Sequence, residues 1–324
     1  MMVKIGRARA HTNIAMIKYW GKRDERLVLP MNSSLSLTLD SLYTETEVVF
    51  NRDVDMDYFY LDGKIQDVES TNRVSRFLDL FRNAADMGEF AIVKSKNYVP
   101  TGAGLASSAS GFAALAAAAN IASGLNLDDR ELSIYARQGS GSATRSIYGG
   151  FVEWRKGIDC WDSYAVAIDD GKWDIGMVIV IVNPREKRIS SREGMKRTLH
   201  TSPFYGSWVE SAKEDLRNIK IAIEERDIES IGRIAESNSF KMHATMLGAN
   251  PPLLYWEPET IEVMEIVHEL REQGLPCYFT MDAGPNVKIL CRLSDAERIR
   301  SSLEQVFKPE QIIVAGSGPG IAIL

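Results

Sequence analysis

The first third of the chain alternates between hydrophobic and polar residues, which is the pattern of half-buried β-strands. Leu35, Leu37 and Leu39, for example, are separated by single polar residues. Asp62-Gly63 is a typical tight turn between two strands and indicates a hairpin. We therefore predict an antiparallel sheet built from strands at residues 3–16, 35–40, 44–50, 58–65 and 90–95.

Apolar residues at helical spacing predict helices between and after these strands. Val74, Phe77, Leu78 and Phe81 form one such stripe, and Asp128 is a typical N-cap before another. An apolar run at 177–182 and a strand–turn–strand pattern over 277–290 add further strands. Strands followed by helices indicate an α+β fold rather than a doubly wound one. Helices are predicted at residues 70–87, 128–139, 204–225, 227–246 and 258–273, together with an alanine-rich helix that ends at 120.

Length and composition suggest two globular domains. The chain has 324 residues, of which 45% are hydrophobic and 25% charged. Asn183-Pro184 ends the strand at 177–182, so we predict domains at residues 1–183 and 184–324. The net charge of −6 gives no indication of a nucleic-acid partner. A basic site for an anionic ligand must therefore be local.

The cysteines and histidines exclude some classes of site. The three cysteines are far apart, which predicts reduced thiols in a cytoplasmic protein. The four histidines lack metal-ligand spacing, so we expect no zinc site. Residues 97–127 carry no charge, but Pro100 and several glycines interrupt the run and its apolar residues are mainly alanine. We expect no membrane span.

A glycine-rich stretch, P-T-G-A-G-L-A-S-S-A-S, precedes the alanine-rich helix at residues 100–110. Gly102 and Gly104 allow the backbone to approach a ligand closely. Ser107 and Ser108 lie near the helix N-terminus, where free N–H groups and the helix dipole favour phosphate. Their hydroxyls could also bind Mg²⁺. The structural alternative is a small-residue helix capped by Gly and Ser.

Three other stretches combine groups that bind anions or transfer protons. Lys18 and Lys22 surround an aromatic pair, which indicates either an anion site or a solvated basic turn. Arg145 follows a turn containing Ser140 and Ser142; it could grip a carboxylate or phosphate, or lie on the surface after a helix end. Asp282 occupies the turn D-A-G-P, where an aspartate usually stabilises the turn itself.

These motifs resemble one known family. P-x-x-x-G-L-A-S-S-A resembles the phosphate loop of the galactokinase, homoserine kinase, mevalonate kinase and phosphomevalonate kinase (GHMP) superfamily. The alanine before the serine pair is similar to the diphosphomevalonate decarboxylase branch. T-N-I-A-x-x-K-Y-W-G-K-R-D, G-S-G-S-A-x-R-S-x-x-G-G and M-D-A-G-P-N-V-K also resemble that branch, with Thr144 where cysteine is common. The resemblance spans nearly the whole chain.

The resemblance implies a two-domain, GHMP-kinase-like α+β fold with a substrate cleft between the domains. It implies that ATP and Mg²⁺ are used to convert mevalonate 5-diphosphate into isopentenyl diphosphate, ADP, phosphate and CO₂, a step of the mevalonate pathway of isoprenoid biosynthesis. It also implies a cytoplasmic homodimer with no nucleic-acid or membrane partner.

The family's functional residues match positions in each motif. Asp282 matches the catalytic acid and would orient the 3-hydroxyl or take its proton. Lys18 would lower the pKa of Asp282 or bind the phosphate in transit, and Arg145 would hold the substrate carboxylate. The remaining matches are, for the substrate, Tyr19, Lys22, Ser140, Ser142, Arg192 and Met195, and, for ATP, Pro100, Gly102, Gly104, Leu105, Ala106, Ser107 and Ser108, the last two also for Mg²⁺. Ser95 and Asn97, just before this loop, are candidates for adenine or ribose contact.

Three other functions fit the same motifs. The enzyme could decarboxylate the 5-monophosphate, or it could phosphorylate the 3-hydroxyl without decarboxylation. Asp282, Lys18 and Arg145 together argue against the kinase. The third function is a non-catalytic sensor on the same scaffold, which would turn over no ATP.

Overall fold

The computed structural model of the chain describes residues 4–98, 107–185 and 188–324. It has the α+β architecture predicted from the sequence. None of the helices in these ranges is long and apolar enough to cross a membrane. The elements up to residue 169 are β1 (Lys4–Ile17), β2 (Lys22–Asp24), β3 (Leu29–Pro30), β4 (Ser34–Asn51), β5 (Tyr58–Leu61), β6 (Lys64–Ile65), α1 (Val68–Ala84), β7 (Phe90–Tyr98), α2 (Ser107–Ser123), α3 (Asp129–Gly139), a 3-10 helix (Gly141–Ile147), β8 (Phe151–Trp154) and β9 (Ala165–Asp169).

The later elements build a smaller sheet with helices around it. They are β10 (Gly176–Val180), α4 (Ser191–Thr201), α5 (Tyr205–Glu224), α6 (Ile228–Leu247), α7 (Pro258–Glu272), β11 (Cys277–Met281), β12 (Val287–Cys291), α8 (Ala296–Leu303), β13 (Ile312–Gly316) and β14 (Ala322–Ile323), with short 3-10 turns at Leu293–Asp295 and Pro309–Gln311.

An eight-stranded sheet organises the first half, in the order β14-β1-β4-β7-β5-β6 with β8 and β9 continuing from β4. The alanine-rich α2 packs on β1 and β4 and forms the centre of the hydrophobic core on that face. Gly6 permits this contact, because a Cβ there would lie only 2.0 Å from the Ala118 carbonyl oxygen. The start of α2 lies near the end of β7, because Asn97 and Ser110 are both hydrogen-bonded to Thr44 Oγ1.

The strands predicted at 35–40 and 44–50 are one continuous strand, β4. Its register against β1 shifts between the pairs His11–Tyr43 and Asn13–Thr38. Because this irregularity interrupts the alternation of buried and exposed positions, the sequence pattern appears broken where the strand continues.

The second sheet has the antiparallel order β11-β12-β10-β13 and packs against the helices of the second half. The two C-terminal strands belong to different sheets, because β13 pairs with β10 in this sheet whereas β14 pairs with β1. The chain crosses between the sheets at Gly318, where a Cβ would lie 2.4 Å from the Leu39 backbone. The glycines near the C-terminus thus allow the chain to pass close to the β4 backbone as it crosses between the sheets.

The two halves share a hydrophobic core that contains Leu37 of β4, Met177 of β10 and Ile231 of α6. β10, which follows Asp169, is the first strand of the second sheet, and β14 returns to the first sheet. The domain boundary at 183 stays a prediction.

Candidate active site

The turn that joins β11 to β12 places Asp282 between two buried lysines. Lys18 follows β1 directly and donates from Nζ to Asp282 Oδ1 at 2.9 Å, while Lys288 Nζ lies 3.2 Å from Asp282 Oδ2. The lysine side chains are 1% and 3% exposed, whereas that of Asp282 is 39% exposed. Each carboxylate oxygen therefore has its own ammonium partner, and the carboxylate remains accessible.

These charges shift the pKa values of the cluster. Burial opposes ionisation of Asp282, but the attraction of Lys18 and Lys288 outweighs it and holds the pKa of Asp282 well below its usual range. Burial lowers the pKa of Lys18 to about 8, against the attraction of Asp282. At neutral pH Asp282 is ionised and Lys18 is largely protonated.

Backbone contacts hold Lys18 in place. Its Nζ donates to the Ala15 carbonyl oxygen at 2.7 Å, and its backbone N–H donates to Asn238 Oδ1 at 2.9 Å. Asn32 Nδ2 donates to the Lys18 carbonyl oxygen at 3.0 Å. The ammonium group is therefore fixed relative to Asp282 before any ligand binds.

Arg145 is a buried cation without a carboxylate partner. It lies on the 3-10 helix, is 2% exposed and forms no salt bridge with any carboxylate in the described part of the chain. Its Nε donates to Ser36 Oγ at 2.9 Å and to Asn13 Oδ1 at 3.3 Å, and its Nη1 donates to Ser34 Oγ. Burial lowers its pKa to about 10, against the attraction of Asp282. A desolvated guanidinium held by neutral groups is suited to bind an anion.

Tyr19 and the serine turn form one wall next to Arg145. The Tyr19 ring packs against Trp154 at 4.8 Å between centroids, and its buried hydroxyl forms no hydrogen bond with the described residues. Burial raises the pKa of Tyr19, and Arg145 and Arg192 oppose the rise. The Ser140 hydroxyl lies 3.3 Å from that of Ser142 and 3.4 Å from that of Ser108. This wall presents several hydrogen-bonding groups with few protein partners.

The other predicted substrate residues lie around this wall. Lys22 Nζ forms an ion pair with Glu25 Oε2 at 2.7 Å, so this lysine is already paired with a carboxylate of the protein. Arg192 is an exposed residue in the first turn of α4, whose N-cap is Ser190. Met195, one turn later, packs against the cluster around Trp20.

Three of the predicted nucleotide residues lie among the described residues, on β7 and at the N-terminus of α2. Ser95 and Asn97 of β7 are hydrogen-bonded to Thr46 Oγ1 at 2.8 Å and Thr44 Oγ1 at 2.9 Å. Ser108 lies in the first turn of α2 and is exposed. Pro100, Gly102, Gly104, Leu105, Ala106 and the side chain of Ser107 lie outside the described residues.

Sequence reasoning missed several residues that organise the site. Lys288 was part of a recognised motif but was given no role, although a lysine within the apolar run V-K-I-L-C is unusual for a buried strand. Asn13, Ser34 and Ser36 hold Arg145. Because Ser34 and Ser36 alternate with the leucines of a half-buried strand, the pattern predicts them on the solvent face, and it did not indicate this role. Glu25 gave no signal. Within the described ranges, no three His, Cys, Asp or Glu side chains are grouped to hold a metal ion.

Two family models match this chain. The diphosphomevalonate decarboxylase-like N-terminal domain matches residues 10–165, and the mevalonate 5-diphosphate decarboxylase C-terminal domain matches residues 177–317. Human diphosphomevalonate decarboxylase is 38% identical over 302 residues, which cover 86% of this chain and 75% of the human protein.

Solved structures agree with these matches over the whole fold. The mevalonate diphosphate decarboxylase from Staphylococcus aureus is 48% identical, with a TM-score of 0.97 over 100% of this chain and 98% of its own. The enzyme from Enterococcus faecalis is 49% identical, with a TM-score of 0.95 over 100% of this chain and 99% of its own. The GHMP-type fold is thus confirmed, and the chain belongs to the diphosphomevalonate decarboxylase family.

Proposed function

We propose that this protein catalyses the ATP-dependent decarboxylation of mevalonate 5-diphosphate to isopentenyl diphosphate, with ADP, phosphate and CO₂ as the other products. The observation that carries the proposal is that one site holds an accessible, ionised Asp282 and a buried Arg145, which forms no salt bridge with a carboxylate in the described ranges. Asp282 can orient a hydroxyl that must be phosphorylated, and Arg145 can bind a carboxylate that must leave.

In the first step, the substrate 3-hydroxyl attacks the γ-phosphorus of ATP and the bond to the β-phosphate oxygen breaks. Asp282 accepts a hydrogen bond from the hydroxyl and orients it. Because its pKa is well below the usual range, Asp282 is a weak base, so it takes the proton only as the new O–P bond makes the hydroxyl acidic. Lys18 Nζ lies 2.9 Å from Asp282 Oδ1, so its ammonium group would offset negative charge on the phosphoryl group.

In the second step, the C3–O bond breaks and its electron pair leaves with phosphate. The electrons of the bond between C2 and the carboxylate form the double bond, and CO₂ departs. Arg145 holds the carboxylate in line with the breaking bonds, since its Nη2 donates to no group in the described ranges. The substrate carboxylate is thereby the anionic partner of the buried guanidinium, which forms no salt bridge within the described ranges.

Groups along the Tyr19 wall bind the diphosphate in this proposal. The Tyr19 hydroxyl, Lys22, Ser140 and Ser142 offer donors, and Arg192 contributes charge from α4. Met195 contacts the apolar part of the substrate. These donors exceed what one phosphate needs, which supports a diphosphate over a monophosphate.

ATP would bind beside Ser95 and Asn97 on β7 and the N-terminus of α2, and the resemblance adds the glycine-rich stretch between these two elements in the sequence. A solved relative, MDDEF, is in complex with MVAPP, AMPPCP and magnesium. The hydroxyl donor set of Ser107 and Ser108 fits Mg²⁺, which prefers oxygen ligands and completes its shell with phosphate oxygens and water. When bound, Mg²⁺ would neutralise phosphate charge during transfer.

We also propose that the protein is cytoplasmic, since all three cysteines are free and two of them are buried. The homodimer remains a prediction.

A substrate panel tests the function. The protein is incubated with ATP and, separately, mevalonate, its 5-phosphate and its 5-diphosphate, and ADP and CO₂ are measured. We expect CO₂ from the 5-diphosphate and little from the others. Faster CO₂ release from the monophosphate would reassign the substrate, ADP without CO₂ would indicate a kinase, and no ATP turnover would indicate a sensor.

A further inference from the structure

Lys288 occupies a position where a charged residue is costly. It lies on β12, between β11 and β10, opposite Thr280 on one side and Ile179 on the other. Its side chain is 3% exposed. Its neighbours along the strand, Val287 and Ile289, are completely buried. A lysine in such a place requires a specific counter-charge.

That counter-charge is Asp282. Lys288 Nζ lies 3.2 Å from Asp282 Oδ2 and donates to the Asn286 carbonyl oxygen at 3.2 Å. Lys288 forms a salt bridge with no other carboxylate in the described ranges. Lys18 takes the other oxygen, Oδ1, and is also bonded to the Ala15 carbonyl oxygen. The two lysines thus hold the carboxylate through its two oxygens.

We propose that Lys288 is a positioning residue of the reaction, which keeps the Asp282 carboxylate ionised and directed at the substrate hydroxyl while Lys18 interacts with the transferred phosphate. The inference rests on the proposed function. It assigns Lys288 a role through Asp282 rather than a contact with substrate, because its side chain is buried behind the carboxylate.

The charges around Asp282 predict what removal of Lys288 does. The groups that face the carboxylate are Lys18 after β1, Lys288 on β12, Arg145 on the 3-10 helix and His243 on α6. Burial lowers the pKa of His243 to about 3, so this histidine is neutral in the assay range. Without Lys288, Asp282 loses one of three attracting cations and Lys18 loses a repelling one. The pKa values of both groups therefore rise.

The test compares pH profiles of kcat for the wild type, Lys288→Met and Lys220→Met, with ATP and mevalonate 5-diphosphate as substrates. Lys220 is a matched control, because its Nζ also forms one salt bridge, to Glu153 at 2.8 Å, in another part of the fold. We expect Lys288→Met to lower kcat by about 10- to 100-fold with KM changed less than about threefold. The alkaline limb should move up by about one pH unit, while Lys220→Met keeps the wild-type profile.

Circular dichroism first establishes that each variant is folded, and Lys288→Gln is measured in the same way. The proposal is overturned if a folded Lys288 variant keeps kcat within about twofold of wild type. It is equally overturned if kcat falls with the alkaline limb unmoved. If neither variant folds, Lys288 is a structural residue and the inference is wrong. Absence of CO₂ release by the wild type and by Lys220→Met would instead refute the proposed function.

Discussion

Replacement of Arg145 by alanine should separate ATP cleavage from CO₂ release. The guanidinium is 2% exposed, and its Nε and Nη1 are engaged by Asn13, Ser34 and Ser36. The free Nη2 and the second N–H of Nη1 can grip a carboxylate through two charge-assisted hydrogen bonds. At about 1.5–3 kcal/mol each, these bonds are worth about 3–6 kcal/mol. A tenfold change corresponds to about 1.4 kcal/mol, so CO₂ release should fall by about 10²- to 10⁴-fold.

The assay measures ADP by a coupled enzyme and CO₂ by trapping from carboxyl-labelled substrate in the same reaction. The wild type should release one CO₂ per ADP. Arg145→Ala should release more ADP than CO₂, because Asp282 can still orient the hydroxyl while the carboxylate is no longer held. Arg145→Lys is the control that keeps the charge but loses the planar fork. Its ratio of CO₂ to ADP should lie between those of the wild type and Arg145→Ala. CO₂ release by Arg145→Ala at the wild-type rate, or residual turnover with one CO₂ per ADP, would refute this role.

Three further predictions concern the rest of the site. Ser107→Ala or Ser108→Ala should lower kcat by about 10²-fold for whichever hydroxyl binds metal or phosphate; near-full activity of both and of the double variant would make the loop a structural cap. Because the pKa of Lys18 is about 8 and not 10.5, kcat should fall above pH 8. Between pH 8 and 10.5 the unfolded chain binds more protons at Lys18 than the folded protein does, so the contribution of Lys18 to the free energy of unfolding should rise with pH over this range. Glu25→Gln should lower KM for the diphosphate by about threefold, since Glu25 competes for Lys22; an unchanged or higher KM would contradict this.

Sequence reasoning identified the residues that carry chemistry more readily than those that hold them. Lys18, Arg145 and Asp282 stand in dense local motifs, and the structure brings all three together. Local motifs do not report which strands meet. The hydrogen bonds that Arg145 donates to Ser34 and Ser36 join residues more than 100 positions apart and were therefore not predictable. The same limit applies to Lys288, whose partner depends on how the β11–β12 turn bends.

The fold shows a similar division. Periodicity predicted α3 and its Asp128 cap, and the structure has the complete capping box with Glu131. Pairing between distant strands was not visible in the sequence. Hence β4 was divided in two at its irregular register, and the return of β14 to β1 was missed.

Asp282→Asn tests the central claim most directly. The variant keeps the shape of the side chain but removes the charge between Lys18 and Lys288. CO₂ and ADP are measured with ATP and mevalonate 5-diphosphate, and binding of each is measured by calorimetry on folded protein. The account predicts that both products fall by about 10³-fold or more while the dissociation constants stay within about fivefold. CO₂ release by Asp282→Asn near the wild-type rate would contradict it.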